Sequence, residues 1–332
     1  MKIAFFETKP WEKRLIKKKL QGHTLKIIKE PLTVENLHDA QDCDVVVTFI
    51  ASHLTKDVLV KLPKLKMVAT RSTGYDHIDV STAKKRGVVV CNVPFYGENT
   101  VAEHTFALIL SLSRKVHMSY VRSLQNDFSI EGLMGFDLQG KTLGVVGAGH
   151  IGMHVIRIAR GFGMNVLAYD AYPNTFLAEV LGFEYVPFET VLKNAEIISL
   201  HVPYCTETHH LINKKNIHLI KKGALLINTA RGGVVDTNAL IEALDKHILS
   251  GAGLDVIEGE ELIKEEKHLA HMPERVKEMR MLVKDHLLLS KENVVFTPHL
   301  AFYSKEALQR ILETTVENIL GFAAGKPKNV VT

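Results

Sequence analysis

Short apolar runs alternate with longer segments of helical periodicity along most of this chain. Over the first hundred residues, runs of four to six positions rich in valine and isoleucine are separated by polar segments of helix length. Such runs are typical of buried strands in a parallel sheet whose crossovers are helical. The pattern predicts a small α/β domain with the strands KIAFFE, LKIIKE, DVVVTFI, KMVAT and VVVCNV.

A second α/β series follows a break in this alternation. Pro94 interrupts it, 97–100 supplies turn and helix-capping residues, and 101–124 keeps one apolar period that predicts an unbroken helix between two domains. A charged helical pattern covers 260–291, and an amphipathic helix follows the last strand. The second sheet is predicted from TLGVVG, NVLAYD, EYVPF, AEIISLHVP, ALLINTA, GAGLDV and VVFTPH.

Length and composition agree with two globular domains. The 332 residues exceed what one hydrophobic core organises, and 46% of them are hydrophobic while 23% are charged. The net charge is only +4, and the basic residues of 13–19 alternate with apolar ones at helical spacing. We therefore interpret them as a solvated helix face and expect no nucleic-acid partner.

Several other classes of protein are disfavoured by the sequence. No run approaches the roughly 18 apolar residues of a membrane span, so no membrane partner is expected. Cys43, Cys91 and Cys205 lack CxxC spacing, which argues against a disulfide framework and predicts a reduced, cytoplasmic chain. His150 and His154 share a helix face, but no HExxH motif accompanies them, so we expect no metal site.

A glycine-rich loop follows the predicted strand TLGVV and opens a helix. Gly147, Gly149 and Gly152 fit GxGxxG: the first allows a tight turn, the second lets backbone approach a pyrophosphate, and the third lets helix pack on strand. The free N–H groups at the helix start, from His150 and Ile151, would hold the phosphates. The motif in this context predicts a dinucleotide site.

The next strand ends in a carboxylate that indicates which dinucleotide is bound. Asp170 would accept hydrogen bonds from both ribose hydroxyls and repel a 2′-phosphate. The four following residues, 171–174, include no arginine that could bind such a phosphate. NAD is therefore favoured over NADP, and FAD is the main rival ligand, although FAD-type loops usually lie near the start of a chain.

Four polar residues stand at or just beyond strand ends in the second series. Arg231 follows ALLINTA, Asp255 ends GAGLDV with Glu260 shortly after, and His299 ends VVFTPH. Because ligands gather at the carboxyl ends of parallel strands, these side chains would lie beside the dinucleotide. Arginine can bind a carboxylate in bidentate fashion, and a histidine paired with a carboxylate can deliver and recover a proton. This set predicts reversible reduction of a 2-oxo acid by hydride transfer.

The chain resembles the D-isomer-specific 2-hydroxyacid dehydrogenases over essentially its whole length. The resemblance is densest in TLGVVGAGHIG, SLHVPYCTETHHLI, LLINTARGGVVDTNAL, GLDVIEGEE and TPHLAFY. It implies that Arg231, Glu260 and His299 are the catalytic residues. It further implies that Asp255 binds the nicotinamide carboxamide, and that other cofactor contacts come from Val202, Pro203, Thr208, Thr229 and Ala230.

Within this family, RSTGYDHID and NVPFYGENTVAEHT resemble the D-lactate dehydrogenase branch. The resemblance implies that Thr73 and Gly74 offer backbone N–H groups to the substrate carboxylate, with Tyr96, Phe302 and Tyr303 around it. It also implies the fold: two doubly wound parallel-sheet domains, a Rossmann NAD-binding domain (100–298) inserted into a flavodoxin-like substrate domain (1–99 and 299–332). Substrate would bind in a cleft that closes by a hinge.

The family also implies a homodimer and leaves two alternatives for the function. The helix that contains VAEHTFALIL resembles the family's dimer element, although its apolar face could instead serve packing between domains. The substrate could be a larger 2-oxo acid than pyruvate, such as phenylpyruvate or 2-oxoisocaproate. Relatives that act as NADH-sensing corepressors also exist, but that function would predict long disordered tails or a peptide groove.

Overall fold

The computed structural model describes residues 1–260 and 276–332, which form two compact units. Unit 1 comprises Met1–Gly97 and Ser304–Thr332, and unit 2 comprises Glu98–Tyr303. The domain limits predicted from the sequence fall within a few residues of these breaks. The described strands are β1 (Lys2–Phe5), β2 (Thr24–Ile27), β3 (Val45–Thr48), β4 (Met67–Thr70), β5 (Val89–Cys91), β6 (Thr142–Val146), β7 (Asn165–Tyr169), β8 (Glu184–Tyr185), β9 (Ile197–Leu200), β10 (Ala224–Asn228), β11 (Leu249–Leu254) and β12 (Val294–Phe296).

Helices lie between most of these strands in chain order, as the alternating pattern predicts. They are α1 (Glu12–Lys19), α2 (Lys56–Val60), α3 (Val80–Lys85), α4 (Glu98–Ser113), α5 (Val116–Leu124), α6 (His150–Gly161), α7 (Thr175–Leu181), α8 (Phe188–Asn194), α9 (Thr237–Asp245), α10 (Val276–Leu289) and α11 (Lys305–Ala323). The charged helical pattern over 260–291 is thus confirmed where α10 lies, while 261–275 falls outside the described residues.

Each unit is built on one parallel sheet. In unit 1 the strand order is β2-β1-β3-β4-β5, which is the flavodoxin-like order. In unit 2 it is β12-β11-β10-β9-β6-β7-β8, a doubly wound Rossmann sheet extended by one strand. Every pairing among these strands is parallel, so the predicted fold class is confirmed.

Both faces of each sheet are buried, which explains the continuous apolar runs in the sequence. In β3, Val46 packs into the core on one face, while Val45 and Val47 pack into the core on the other. The same alternation occurs in β10, where Leu226 and Ile227 belong to opposite cores of unit 2. Helices cover both faces, so a strand gains from apolar side chains at every position.

The prediction of one unbroken helix over 101–124 is wrong. The helix ends at Ser113, and α5 starts at Val116 after Lys115, whose φ of 56° is left-handed. The Ser113 carbonyl accepts a hydrogen bond of 2.9 Å from the N–H of Phe136, so a later segment caps α4. Gly135 approaches so closely that a Cβ there would lie 2.2 Å from the Ser113 oxygen. A long-range contact, invisible to periodicity, ends the helix.

Three further observations concern the described ranges as a whole. None of the helices they contain is both long and apolar enough to cross a membrane. Within those same ranges, no three histidine, cysteine or acidic side chains come together in a way that could hold a metal ion. Cys43 and Cys91 are buried thiols, and Cys205 is exposed.

Candidate active site

The glycine loop lies between β6 and α6 and has no room for side chains at two of its three glycines. Gly147 has a φ of 94°, and a Cβ there would lie 2.7 Å from the carbonyl carbon of His201. A Cβ on Gly152 would lie 2.1 Å from the Gly147 oxygen, so α6 packs directly on the loop. These close approaches are the geometric reason for glycine at both positions.

The middle glycine faces open space at the start of α6. A Cβ on Gly149 would meet no atom within 4 Å, and no side chain caps the helix there. His150 and Ile151 are the first two residues of the helix, where the helix dipole is positive. The loop therefore fits a pyrophosphate, because open space lies at the positive end of a helix.

Asp170 lies against this loop at the carboxyl end of β7. Its Oδ2 accepts a 2.7 Å hydrogen bond from the N–H of Ala148, and its Oδ1 accepts a 2.8 Å hydrogen bond from the N–H of Tyr172. Each carboxylate oxygen keeps a further lone pair for a ribose hydroxyl. The position of Asp170 after β7 and its hydrogen bond with the loop fit the acidic residue of a dinucleotide site.

The remaining predicted cofactor residues follow β9 and β10; β9 pairs with β6, β10 pairs with β9, and all three strands run parallel. Val202 and Pro203 come just after β9, and Thr208 Oγ1 donates a 2.6 Å hydrogen bond to the Pro203 carbonyl. Thr229 and Ala230 follow β10 and are nearly buried. All five therefore lie beyond the same sheet edge as the glycine loop.

His299 and Glu260, which the sequence predicts to be an acid–base pair, are in contact. His299 Nδ1 and Glu260 Oε1 are 2.7 Å apart, and both side chains are about one-fifth exposed, at 23% and 21%. Because an ionised carboxylate only accepts, Nδ1 carries the donated hydrogen and Nε2 is the atom left for a substrate. The other oxygen, Glu260 Oε2, is buried and has no hydrogen-bond partner within the described ranges.

Arg231 lies beside the segment that leads to Glu260. It follows β10, and its Nη1 donates a 2.8 Å hydrogen bond to the Ala230 carbonyl. A Cβ on Gly232 would lie 2.1 Å from the Ile257 oxygen, so the turn after Arg231 packs on the backbone just before Glu260. The three predicted catalytic residues thus come from one edge of the β10-β11-β12 part of unit 2.

Asp255 supports the turn that carries His299. The side chain is 1% exposed, and its oxygens accept from Thr297 Oγ1 at 2.6 Å and from the N–H groups of Leu300 and Ala301 at 2.9 Å each. The His299 N–H also donates to the Asp255 carbonyl at 2.8 Å. Contact between Asp255 and the nicotinamide carboxamide stays a prediction.

His104 on α4 is a site residue that the sequence interpretation missed. Its Nε2 lies 2.9 Å from Thr297 Oγ1 and 3.5 Å from Asp255 Oδ1. The Thr297 hydroxyl donates to Asp255, so its oxygen accepts from His104 Nε2–H. Burial lowers the pKa of His104, and the nearby Asp255 carboxylate partly opposes that shift. The sequence signal that could have identified His104 is a polar residue on the buried face of an otherwise apolar helix.

In unit 1, Thr73 and Gly74 form a turn after β4. The Thr73 hydroxyl donates to the Val93 carbonyl at 2.9 Å, and Ser72 Oγ donates to the Gly74 carbonyl at 2.6 Å. Neither Thr73 nor Gly74 uses its backbone N–H for a hydrogen bond within the described part of the chain. Consecutive N–H groups in such a turn suit a carboxylate.

The aromatic residues that are predicted to surround the substrate lie close to the points where the chain passes from one unit to the other. Tyr96 is half-buried in unit 1, where its carbonyl accepts a 2.6 Å hydrogen bond from Arg310 Nε. Phe302 and Tyr303 end unit 2, with rings nearly perpendicular and 5.8 Å apart, and Tyr303 is 57% exposed. Their contact with substrate stays a prediction, and Glu261 of the EGEE run lies outside the described residues.

Comparison with known proteins agrees with these observations. Residues 106–301 match the family model for the NAD-binding domain of D-isomer-specific 2-hydroxyacid dehydrogenases. D-lactate dehydrogenase of Escherichia coli is 37% identical over 98% of both chains, and glyoxylate reductase of Thermococcus litoralis is 39% identical over 89% of this chain and 85% of its own. A solved structure of Aquifex aeolicus D-lactate dehydrogenase, complexed with NAD and lactic acid, superposes with a TM-score of 0.89 at 37% identity, covering 99% of this chain and 98% of that one.

These matches span nearly the whole chain, and they agree with the parallel sheets and with the glycine loop. NAD is the cofactor that the loop and Asp170 fit, and the matched domain is the family's NAD-binding domain. The chain therefore belongs to the D-isomer-specific 2-hydroxyacid dehydrogenases, on their D-lactate dehydrogenase branch, and is an oxidoreductase that uses NAD.

Proposed function

We propose that this protein is a D-lactate dehydrogenase that interconverts pyruvate and D-lactate. The observation that carries the proposal is the 2.7 Å contact between His299 and Glu260, in the same unit as the glycine loop. A proton donor held by a carboxylate is what carbonyl reduction requires beside a nicotinamide. The D-configuration is inferred from membership of the family.

Each proposed role follows from the chemistry of its side chain. Arg231 binds the carboxylate of the 2-oxo acid and polarises its carbonyl. For unit 1, we propose that the N–H groups of Thr73 and Gly74 bind a substrate carboxylate. His299 donates its Nε2 proton to the carbonyl oxygen, and Glu260 stabilises the imidazolium that holds this proton. Bound NADH supplies the hydride. In the reverse direction, His299 accepts the proton of the 2-hydroxyl group.

A different 2-oxo acid is the second candidate substrate. The similarity to a glyoxylate reductase, at 39% identity, supports a broader or smaller substrate class than pyruvate alone. A larger acid such as phenylpyruvate or 2-oxoisocaproate is the other alternative, and it would require a larger substrate pocket. The same catalytic residues would serve all of these acids, because they contact only the shared 2-oxo carboxylate.

The test is an activity panel with wild type and His299→Ala. We expect pyruvate to give the highest kcat/KM among pyruvate, glyoxylate, phenylpyruvate and 2-oxoisocaproate, with NADH oxidation followed by absorbance. His299→Ala should lower kcat by at least about 100-fold, the usual contribution of a general acid, and leave the Kd for NADH within about twofold. The exposed His218, in the same unit, gives the matched control His218→Ala, which should retain full activity. An active His299→Ala enzyme would remove the proposed role of His299.

We further propose a homodimer in a reducing compartment such as the cytoplasm. Five strongly exposed apolar side chains occur close together in sequence within and after α5, which supports an association surface. Cys43, Cys91 and Cys205 are all free thiols, which suits a reducing compartment. The exposed apolar residues are Tyr120, Leu124, Phe128, Ile130 and Met134.

A further inference from the structure

Three asparagines in unit 1 form a closed set of hydrogen bonds through both side-chain and backbone groups. Asn329 Nδ2 donates to Asn318 Oδ1 at 2.8 Å, and Asn318 Nδ2 donates to the Asn92 carbonyl at 2.8 Å. The Asn92 N–H donates to the Asn329 carbonyl at 3.1 Å, which closes the ring. The residue after β5, a residue of α11 and a residue of the C-terminal tail are thereby fixed to one another. We call these three residues the asparagine triad.

The triad has one connection to the proposed substrate-binding turn. Asn92 uses its backbone within the triad, and its side-chain Nδ2 donates to the Thr73 carbonyl at 2.8 Å. The Thr73 hydroxyl is also held, by the Val93 carbonyl next to Asn92. The orientation of the Thr73 and Gly74 peptide planes therefore depends on where Asn92 lies.

Burial makes this arrangement costly unless every amide finds its partners. Asn318 is 0% exposed and Asn92 is 7% exposed. Apolar side chains of similar size would be a simpler way to pack α11 on the sheet, because buried amides must be desolvated. A fully bonded polar network gives something that apolar packing does not, namely one defined geometry.

The C-terminal tail is held against β5 by its backbone as well. The Val331 N–H donates to the Val90 carbonyl at 2.9 Å, and Cys91 and Val330 form an antiparallel bridge. Asn329 itself has a φ of 52°, a left-handed conformation that asparagine tolerates better than most residues. The tail thus presents the Asn329 amide to Asn318 from a fixed position.

We propose that Asn318 and Asn329 are positioning residues for substrate binding: through Asn92 they fix the Thr73–Gly74 turn that binds the substrate carboxylate. The inference rests on the proposed function, because it assigns a purpose to a turn whose ligand is the carboxylate of a 2-oxo acid. Neither residue contacts the substrate. Their effect should therefore appear in substrate affinity and leave hydride transfer unchanged.

The experiment compares Asn318→Ala, Asn329→Gly and Asn92→Ala in the full-length enzyme with NADH. Glycine suits position 329 because it accepts a positive φ without strain. We expect the KM for pyruvate to rise about three- to tenfold in Asn318→Ala and Asn92→Ala, as loss of one ordering hydrogen bond implies, and less in Asn329→Gly. The kcat and the Kd for NADH should stay within about twofold. The double variant Asn92→Ala/Asn318→Ala should have the KM of Asn92→Ala alone, since Asn318 acts through Asn92.

The matched control is Thr315→Ala in the same helix. Thr315 is also 0% exposed, but its hydroxyl donates to the Ile311 carbonyl of its own helix, so its loss should lower stability and leave the KM for pyruvate unchanged. If Asn318→Ala does not fold, Asn329→Gly decides alone. An unchanged KM in the variants that fold, or additive increases in the double variant, would overturn the proposal.

A second readout separates this proposal from the function on which it rests. Hydrogen exchange of the backbone amides over 71–76 should be faster in Asn318→Ala than in wild type and in Thr315→Ala, with no substrate present. If wild type reduces no 2-oxo acid while this exchange still rises, the proposed function fails and the structural link stands. If exchange and KM are both unchanged, the link itself is wrong.

Discussion

Two carboxylates near the end of β11 have different surroundings, which implies different roles. Every described oxygen contact of Asp255 is with the turn that carries His299 or with His104, so this carboxylate fixes backbone. Glu260 has one oxygen on His299 and one buried oxygen without a partner in the described ranges. The charge of Glu260 is thus directed mainly at the imidazole, as an electrostatic role in proton transfer requires.

The variant Glu260→Gln tests that role. The amide oxygen can still accept the hydrogen bond from His299 Nδ1, but it no longer stabilises the imidazolium by charge. We expect kcat for pyruvate reduction at neutral pH to drop about 10- to 100-fold. Steady-state kinetics measure this drop, and NADH binding serves as the control. An unchanged kcat would show that the Glu260 charge does not act on the proton donor.

His201 gives a pH prediction for stability. Burial lowers its pKa from 6.5 to about 3, and its Nδ1 is buried with no partner among the described residues. Between these two pH values the unfolded chain binds a proton that the folded chain does not. The contribution to stability is therefore complete above pH 6.5 and decreases as the pH falls toward 3, by about 1.4 kcal/mol per pH unit.

Thermal unfolding between pH 7 and 5 measures this effect with His201→Gln. The variant should lose less stability on acidification than wild type, even if it is less stable at pH 7. Replacement of the exposed His218 by alanine should keep the wild-type dependence on pH. Equal slopes in wild type and His201→Gln would mean that His201 is protonated in the folded chain.

The residues at strand ends could be predicted from the sequence, and their supporting residues could not. Arg231, Glu260 and His299 each follow an apolar run, and the parallel order of β10, β11 and β12 brings their ends to one edge. His104 and Asn318 lie within amphipathic helices, where one polar residue on the buried face looks like a break in the pattern. His104 bonds to Thr297, 193 residues away, and Asn318 bonds to Asn92, 226 residues away, so no local rule connects these pairs.

At the scale of elements, apolar runs predict strands and glycines predict tight turns, because both patterns reflect the local surroundings of the chain. A strand with both faces buried needs apolar residues at every position, and each of the twelve predicted runs overlaps a described strand. The end of α4 has a different cause, since the Phe136 N–H and the approach of Gly135 stop it from outside the helix. Element type follows from composition, and element boundaries depend on such distant contacts.

Helix α6 offers a matched pair of glycine substitutions. In Gly152→Ala the new Cβ would lie 2.1 Å from the Gly147 oxygen, so the loop must move away from the helix. Gly161 ends the same helix and has no atom within 4 Å of a Cβ, so Gly161→Ala should be neutral or stabilising by up to about 1 kcal/mol. We expect Gly152→Ala to raise the Kd for NADH at least tenfold, measured by fluorescence titration, and Gly161→Ala to leave it unchanged. Equal affinities would mean that the loop does not contact the dinucleotide.

At the scale of the whole molecule, the chain leaves unit 1 at Gly97 and returns to it at Ser304. The returning segment supplies α11, whose Leu312, Val316 and Ile319 are buried and pack with β1 and β3 in one core. Unit 1 is therefore incomplete until the last thirty or so residues have been made. The resemblance to the family predicts this insertion, whereas the alternating pattern alone predicts two successive domains.

The exposed apolar residues of α5 and of the segment that follows it concern how whole molecules associate. Phe128, Ile130 and Met134 are 78%, 85% and 91% exposed in a single chain, which is unfavourable for large apolar side chains clustered in sequence. A two-fold axis would let one such surface cover its copy, which is the commonest arrangement in soluble oligomers. We therefore expect the wild type to sediment at twice the mass of one chain at micromolar concentration.

The double variant Phe128→Asp/Ile130→Asp should sediment as a single chain, because it would place four charges in a two-fold interface without partners. Phe176→Asp is the matched control: Phe176 is 70% exposed on α7, outside the proposed surface, and its replacement should leave the dimer intact. If the double variant still sediments at the mass of the wild-type dimer, the association surface lies elsewhere. If wild type is itself monomeric at high concentration, the exposed apolar residues require a different partner.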